Sequence, residues 1–207
     1  MDLNQKKTTF VVLITGRMGS GKSQVLDFMK SKGLVVCKAD QWSRDLWKPN
    51  TPCFENLLGI LGDSFLNSKG EFDRKILSDF LFKNPATLKA VEQIIHPLVQ
   101  KKFQKFIEDQ KSQSIIFYEV PLLSKKALEG RFDAIVLVQS DKELNLKRLE
   151  KKGWKKEDIF LRWQAQEEEK NILELVDFFI LNNKDLPFLE QQAEQILSKI
   201  YKEIQKK

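Results

Sequence analysis

The chain is poor in the residues that staple or ligate. Its 207 residues hold one histidine, His96, and two cysteines, Cys37 and Cys53. One His and two separated thiols exclude a conventional Cys/His zinc site. A structural disulfide is not expected, and both thiols read as buried or bystander groups. Long hydrophobic runs are missing too. The longest, such as Phe10–Ile14 and Ala134–Val138, are strand-sized, far short of the roughly 20 residues a membrane span needs. The opening stretch MDLNQKKTTF has charges and no apolar signal region, so a cytoplasmic location without a membrane partner is expected. There are no internal repeats and no low-complexity tracts. No interleaved basic–aromatic module is present, so a nucleic-acid partner is not expected. The net charge of +6 comes from Lys and Arg scattered among Asp and Glu. That pattern reads as solvated helix faces, with a field that also favours an anionic small substrate.

What is present is ordered and specific. Hydrophobic residues make up 42% of the chain, as in a globular protein. Continuous apolar runs at 10–15, 34–37, 114–118, 134–138 and 177–181 read as strands covered on both faces. Helical patterns such as 22–32 and 142–152 lie between most of them. This predicts an α/β fold: a P-loop three-layer sandwich with a five-stranded parallel sheet. The stretch from 38 to 113 is too long for one crossover helix. Its amphipathic pieces, 53–62, 73–82, 86–95 and 97–111, read as a helical insertion, with a turn at LNSKGE (66–71). The expected organisation is a nucleotide-binding core over 8–52 and 113–207, a helical acceptor insertion over 53–112, and a small lid over 146–170. The lid is dense in charge and carries Trp154 and Trp163. A tail helix spans 187–205, with Pro187 at its start.

Three of the nine glycines crowd into residues 16–21. Gly16-Arg-Met-Gly-Ser-Gly21-Lys22-Ser23 fits G-x-x-x-x-G-K-[ST] in full, between a buried strand and a helix. Glycines let successive N–H groups point into one concavity. The helix starting near Lys22 adds its positive dipole end. The nucleotide-binding set is Gly19, Ser20, Gly21, Lys22, Ser23 and Gln24, with ATP as the expected ligand. Lys22 reaches the β- and γ-phosphates, and the Ser23 hydroxyl ligates Mg²⁺. Glu119 closes the strand SIIFYE and is the second candidate for the metal. Asp40 follows the second strand. Its carboxylate can accept a hydroxyl proton, orient that hydroxyl, or cap a helix beginning at Gln41. A switch GTPase is excluded: Glu119-Val-Pro-Leu is not D-x-x-G, and Asn183-Lys184-Asp185-Leu186 ends wrongly for N-K-x-D. A motor or large ATPase needs more chain. A small-molecule kinase fits best.

The chain resembles the dephospho-CoA kinases. The resemblance runs in order through TGRMGSGKS (15–23), KADQWSRDLWKP (38–49), KGEFDRKIL (69–77) and LFKNP (81–85). It continues through LKAVEQIIHPLV (88–99), VPLL (120–123), LKRLEKK (146–152), RWQAQ (162–166) and DFFILNN (177–183). It implies ATP-dependent phosphorylation of the 3′-hydroxyl of dephospho-CoA, the last step of coenzyme A synthesis. By resemblance, Asp40 is the acidic group beside the acceptor hydroxyl, and Arg74 and His96 belong to the CoA-binding helical region. Arg148, Lys152 and Arg162 fall on the lid, with Arg148 the cation that meets the transferring charge. Taken as residues alone, His96 reads equally as a packed or capping group, Arg74 as a local pair with Asp73, and Arg148 as part of a solvated face. Departures from the family pattern are Arg17-Met18 for Gly-Ile, Gln24 for Thr, Lys38 for a first acid, Lys152 for Arg, and Ser124-Lys125 for Phe-Glu. A monomer or weak homo-oligomer is expected. Competing readings are a nucleoside or nucleotide kinase, and a nucleotide-binding regulator with weak transfer activity.

Overall fold

The computed structural model describes residues 9–121, 132–166 and 168–206. The second half of the VPLL motif and Ser124-Lys125 lie outside the described residues. The chain divides into two compact units, one running to Cys37 and again from Gln110, the other covering Lys38–Asp109.

The first unit carries the sheet. Its strands are β1 (Phe10–Thr15), β2 (Val35–Lys38), β3 (Ile115–Glu119), β4 (Ala134–Gln139) and β5 (Phe178–Leu181), in the order β2-β3-β1-β4-β5. β1 pairs in parallel with β3 and β4, and β4 in parallel with β5. Every residue of β1 is buried, so FVVLIT needs no polar alternation. One face packs on α1 (Lys22–Ser31) through Val25, Leu26 and Met29, and on α8 (Leu186–Lys206) through Leu189, Ala193, Leu197 and Ile200. The alternate residues Leu13, Ile116 and Leu137 are fully buried on the other face. Between β4 and β5 lie α6 (Lys142–Lys151), α7 (Lys156–Ala165) and short 3₁₀ turns at Glu169–Asn171 and Leu173–Leu175. Leu149, Ile159 and Trp163 form a separate small core there.

The second unit is helical: α2 (Ala39–Leu46), α3 (Pro52–Leu61), α4 (Arg74–Lys83) and α5 (Pro85–Asp109). Thr51 caps α3, its hydroxyl accepting from Phe54 N at 3.1 Å, and Pro52 takes the first helical position. The LNSKGE turn is closed by an antiparallel bridge between Leu66 and Phe72. Cys53, Phe54, Leu57, Phe72, Leu77, Val91 and Ile95 form its core. The pattern splits 86–95 from 97–111 at Pro97, yet α5 runs through it. Proline removes the N–H that would bond to residue 93. Gln93, His96 and Pro97 are all exposed, so water can take that carbonyl. Val91 and Ile95 before the proline, and Phe103 after it, stay buried and hold both halves.

Both cysteines are free and buried. The Cys37 thiol donates to the Phe117 carbonyl at 3.6 Å, and burial pushes its pKa from 9.0 up to about 12. The folded state therefore keeps the proton that the unfolded chain loses, and stability falls as pH rises from 9 toward 12. Two results are expected. Native protein leaves Cys37 unalkylated by iodoacetamide at pH 8 while unfolded protein is modified, as peptide mass would show. Cys37→Ala flattens the alkaline fall in melting temperature; an equally steep fall would count against the buried thiol as its source.

Among the described residues, no helix is long and apolar enough to cross a membrane.

Candidate active site

The loop after β1 owes its shape to close approach as much as to phosphate. Gly16 has φ 145°, and a Cβ there would lie 2.2 Å from the Val138 carbonyl oxygen of β4. Gly21 caps α1 with φ 103°, and a Cβ there would lie 2.0 Å from Asn182 Nδ2. Any side chain at either position must displace the sheet or that buried amide. Lys22 Nζ donates to the carbonyls of Gly16 at 2.8 Å and Arg17 at 3.1 Å, which folds the ammonium back over the loop. The first turn of α1 contains no acidic residue, so its dipole end is not already neutralised by the chain. Ser20 Oγ, Arg17 Nε and Arg148 Nη1 are buried without a hydrogen-bond partner among the described residues. Buried donors of this kind need acceptors, and a polyphosphate is rich in them. The cradle therefore fits a nucleoside triphosphate.

Glu119 is half-buried at the end of β3, in register with Ile14 of β1, two residues before Gly16. Ser23 is exposed at the start of α1. Among the described residues there is no group of three or more His, Cys, Asp or Glu able to hold a metal. The Ser23 hydroxyl and the Glu119 carboxylate are hard oxygen donors of the kind Mg²⁺ takes in ones and twos beside phosphate and water.

Arg17-Met18, the pair that departs from the family pattern, is where α7 docks on the loop. Trp163 Nε1 donates to the Met18 carbonyl at 3.2 Å, and Met18 N donates to Gln166 Oε1 at 3.1 Å. The Met18 side chain packs on Leu149, Ile159 and Trp163. The Arg17 guanidinium lies 5.8 Å from the centre of the Trp163 ring, within cation–π range. The end of the charged segment is thus tied to the phosphate loop. Neither Trp163 nor Gln166 was assigned a role from the sequence, although both stand in RWQAQ.

The predicted cations separate. Arg148 on α6 is half-buried, not on a solvated face, and its Nη2 donates to Asn182 Oδ1 at 3.2 Å. Burial lowers its pKa, but a guanidinium stays charged. Arg162 on α7 lies over the Trp154 ring, 4.8 Å from its centre. Lys152 is exposed just past the end of α6. Asn183 and Asp185, the false guanine signature, have local roles. Asn183 exchanges hydrogen bonds with Asp141 at 2.8 and 2.9 Å, and Asp185 accepts from Phe188 N at 3.2 Å, capping α8.

The acceptor candidates lie in the helical unit. Asp40 is exposed in the first turn of α2, which begins at Ala39 with Lys38 as its cap residue. The helix therefore starts earlier than Gln41 and Asp40 is not its cap. Asp73 is spoken for, its Oδ1 accepting from Lys75 N and Ile76 N at 3.0 and 3.1 Å. Arg74 instead reaches the Arg44 carbonyl at 3.5 Å. His96 is exposed along α5, so it is neither a core group nor a helix cap.

A phosphate loop on a five-stranded parallel sheet, with a cation beside it and a helical unit between β2 and β3, defines a P-loop kinase. The dephospho-CoA kinase family model matches residues 10–187. A curated dephospho-CoA kinase from Leptospira interrogans serovar copenhageni is 33% identical over 193 residues, 93% of each chain. A crystal structure of a Thermus thermophilus protein superposes with a TM-score of 0.78 at 27% identity, covering 92% of this chain and 97% of that one. A dephospho-CoA kinase structure from Campylobacter jejuni, at 22% identity, shares the fold with a TM-score of 0.61, covering 93% and 98%. The chain belongs to the dephospho-CoA kinase family. It is an ATP-dependent kinase.

Proposed function

We propose that the protein transfers the γ-phosphoryl group of ATP to the 3′-hydroxyl of dephospho-CoA, with the residues above in stated roles. The new bond joins the 3′-oxygen to the γ-phosphorus. The bond to the β–γ bridging oxygen breaks, ADP leaves with its electron pair, and the hydroxyl proton is taken by a base. Such transfer is dominated by positioning and by stabilisation of charge on the moving group. Lys22 leaves the Gly16 and Arg17 carbonyls for the β- and γ-oxygens. Arg148 meets the transferring group through Nη1. Arg162 and Lys152 add positive field from the lid. Asp40 accepts the hydroxyl proton or aligns the hydroxyl for in-line attack, and Arg74 and His96 bind the acceptor. Ser23 and Glu119 are the residues that would hold Mg²⁺, which when bound neutralises charge on the phosphates.

The observation that carries this reading is the phosphate cradle, with buried donors that have no hydrogen-bond partner among the described residues, in a chain of this family. An ADP-release assay tests it. Dephospho-CoA should stimulate ADP release strongly, and AMP, CMP and uridine should not. Preference for one of those three would make the protein a nucleoside or nucleotide kinase. ATP binding without stimulated release by any acceptor would make it a nucleotide-binding regulator.

A further inference from the structure

Asn182 belongs to no catalytic assignment made from the sequence, yet it is the buried centre of the donor site. It is 3% exposed. Its backbone N–H donates to the Gln139 carbonyl at 2.8 Å, extending the β4–β5 ladder by one residue. The position of its side chain is therefore set by the sheet. From there the amide works in two directions. Nδ2 donates to the Ser20 carbonyl at 2.8 Å and lies 3.4 Å from Gln24 Oε1, so it grips the phosphate loop on both sides of Gly21. Oδ1 accepts from Arg148 Nη2 at 3.2 Å. Gly21 leaves room for the grip, since a Cβ there would touch Nδ2 at 2.0 Å. The next residue, Asn183, exchanges hydrogen bonds with Asp141, the residue that begins α6. Two successive asparagines thus anchor the helix that carries Arg148 and the guanidinium itself.

We infer that Asn182 is a positioning residue for phosphoryl transfer: it couples the Arg148 guanidinium to the phosphate-loop backbone. The chemistry explains the choice of residue. A primary amide donates and accepts at once, so one side chain can meet a carbonyl and a guanidinium together. Asp could not donate to Ser20, and Leu could do neither. With Nη2 held on Asn182, the guanidinium is fixed in rotation. Its buried Nη1 then has no hydrogen-bond partner among the described residues, and the bound phosphate chain supplies one. Without Asn182, the long arginine side chain recovers its rotamer freedom and its charge is no longer delivered to a fixed point. This inference rests on the reading of Arg148 as the cation that meets the transferring group.

The test is a double-substitution cycle on Asn182→Ala and Arg148→Ala, with dephospho-CoA and ATP varied separately. Arg148→Ala should lower kcat by about 10²–10³-fold. Asn182→Ala should lower kcat by about 10²-fold and leave the KM for dephospho-CoA within about twofold. The double variant should be no slower than Arg148→Ala alone, because Asn182 acts through Arg148. A structural role would give additive losses instead. If Asn182→Ala does not fold, as its melting curve would show, Asn182→Asp supplies the reading. It keeps the acceptor for Arg148 and loses both donors, so it should raise the KM for ATP while the full Arg148→Ala loss persists on its background. A large Arg148→Ala loss beside a silent or additive Asn182→Ala, or an Asn182→Asp variant with normal KM for ATP, overturns the inference alone. An Arg148→Ala variant with normal turnover overturns the Arg148 reading, and the inference with it.

Discussion

Replacing Asp40 by Asn should lower kcat by about 10²–10⁴-fold, while ATP affinity stays within about twofold. The substitution is nearly isosteric and removes only the ability to take a proton and the negative charge. Asp40 is exposed in the first turn of α2 and is not the residue that caps it, so little stability is at stake. The change costs at most the favourable interaction of a carboxylate with a helix N-terminus, about 0.3–1 kcal/mol. Lys38, where the family pattern has a first acid, leaves no second carboxylate in this short segment to take over. Steady-state kinetics with dephospho-CoA, beside binding of a non-hydrolysable ATP analogue by calorimetry, separate the two effects. Normal turnover in Asp40→Asn would remove Asp40 from the mechanism. A loss of ATP binding equal to the loss of turnover would move it to the donor site.

Lys22→Ala should fail differently. Turnover should fall by about 10²–10³-fold, and the KM for ATP should rise with it, because Lys22 touches the nucleotide in the ground state as well as during transfer. The physical ground is the position of its ammonium, 2.8 and 3.1 Å from two loop carbonyls. Those contacts hold a full charge at the mouth of the cradle before any phosphate arrives. Lys22→Arg keeps the charge but brings a planar fork too large for the pair of carbonyls, and should recover only part of the loss. Melting temperatures should stay close to the parent for both. A Lys22→Ala variant that binds ATP normally would show that the backbone and Arg148 suffice.

Much of the donor side was legible because its chemistry is written in consecutive residues. G-x-x-x-x-G-K-S lies between a buried strand and a helix, as its pattern predicts, and the strands at 10–15 and 134–138 read correctly to within a residue. Buried parallel strands carry an unbroken apolar run, which is a strong local signal. The break expected at Pro97 failed for a tertiary reason. Local propensity puts a helix end there, but the carbonyl freed by the proline faces solvent and the packing on either side holds α5 continuous. The Gln41 helix start failed for a similar reason of scale: helix ends are set within one or two residues by packing and capping.

The linear chain was sufficient to establish an α/β kinase, the order of its elements, and a glycine-rich loop between the first strand and the first helix. Each of those depends on neighbours within a turn or a strand. Folding alone decided which polar groups meet. Asn182 lies 34 residues from Arg148 and 162 from Ser20, and Trp163 lies 145 residues from Met18. No sequence spacing encodes such contacts. They exist because β4 and β5 carry α6 and the Asn182-Asn183 pair to the same end of the sheet as the loop after β1. Arg17-Met18, unaccounted for as sequence, became the seat of α7 on the phosphate loop.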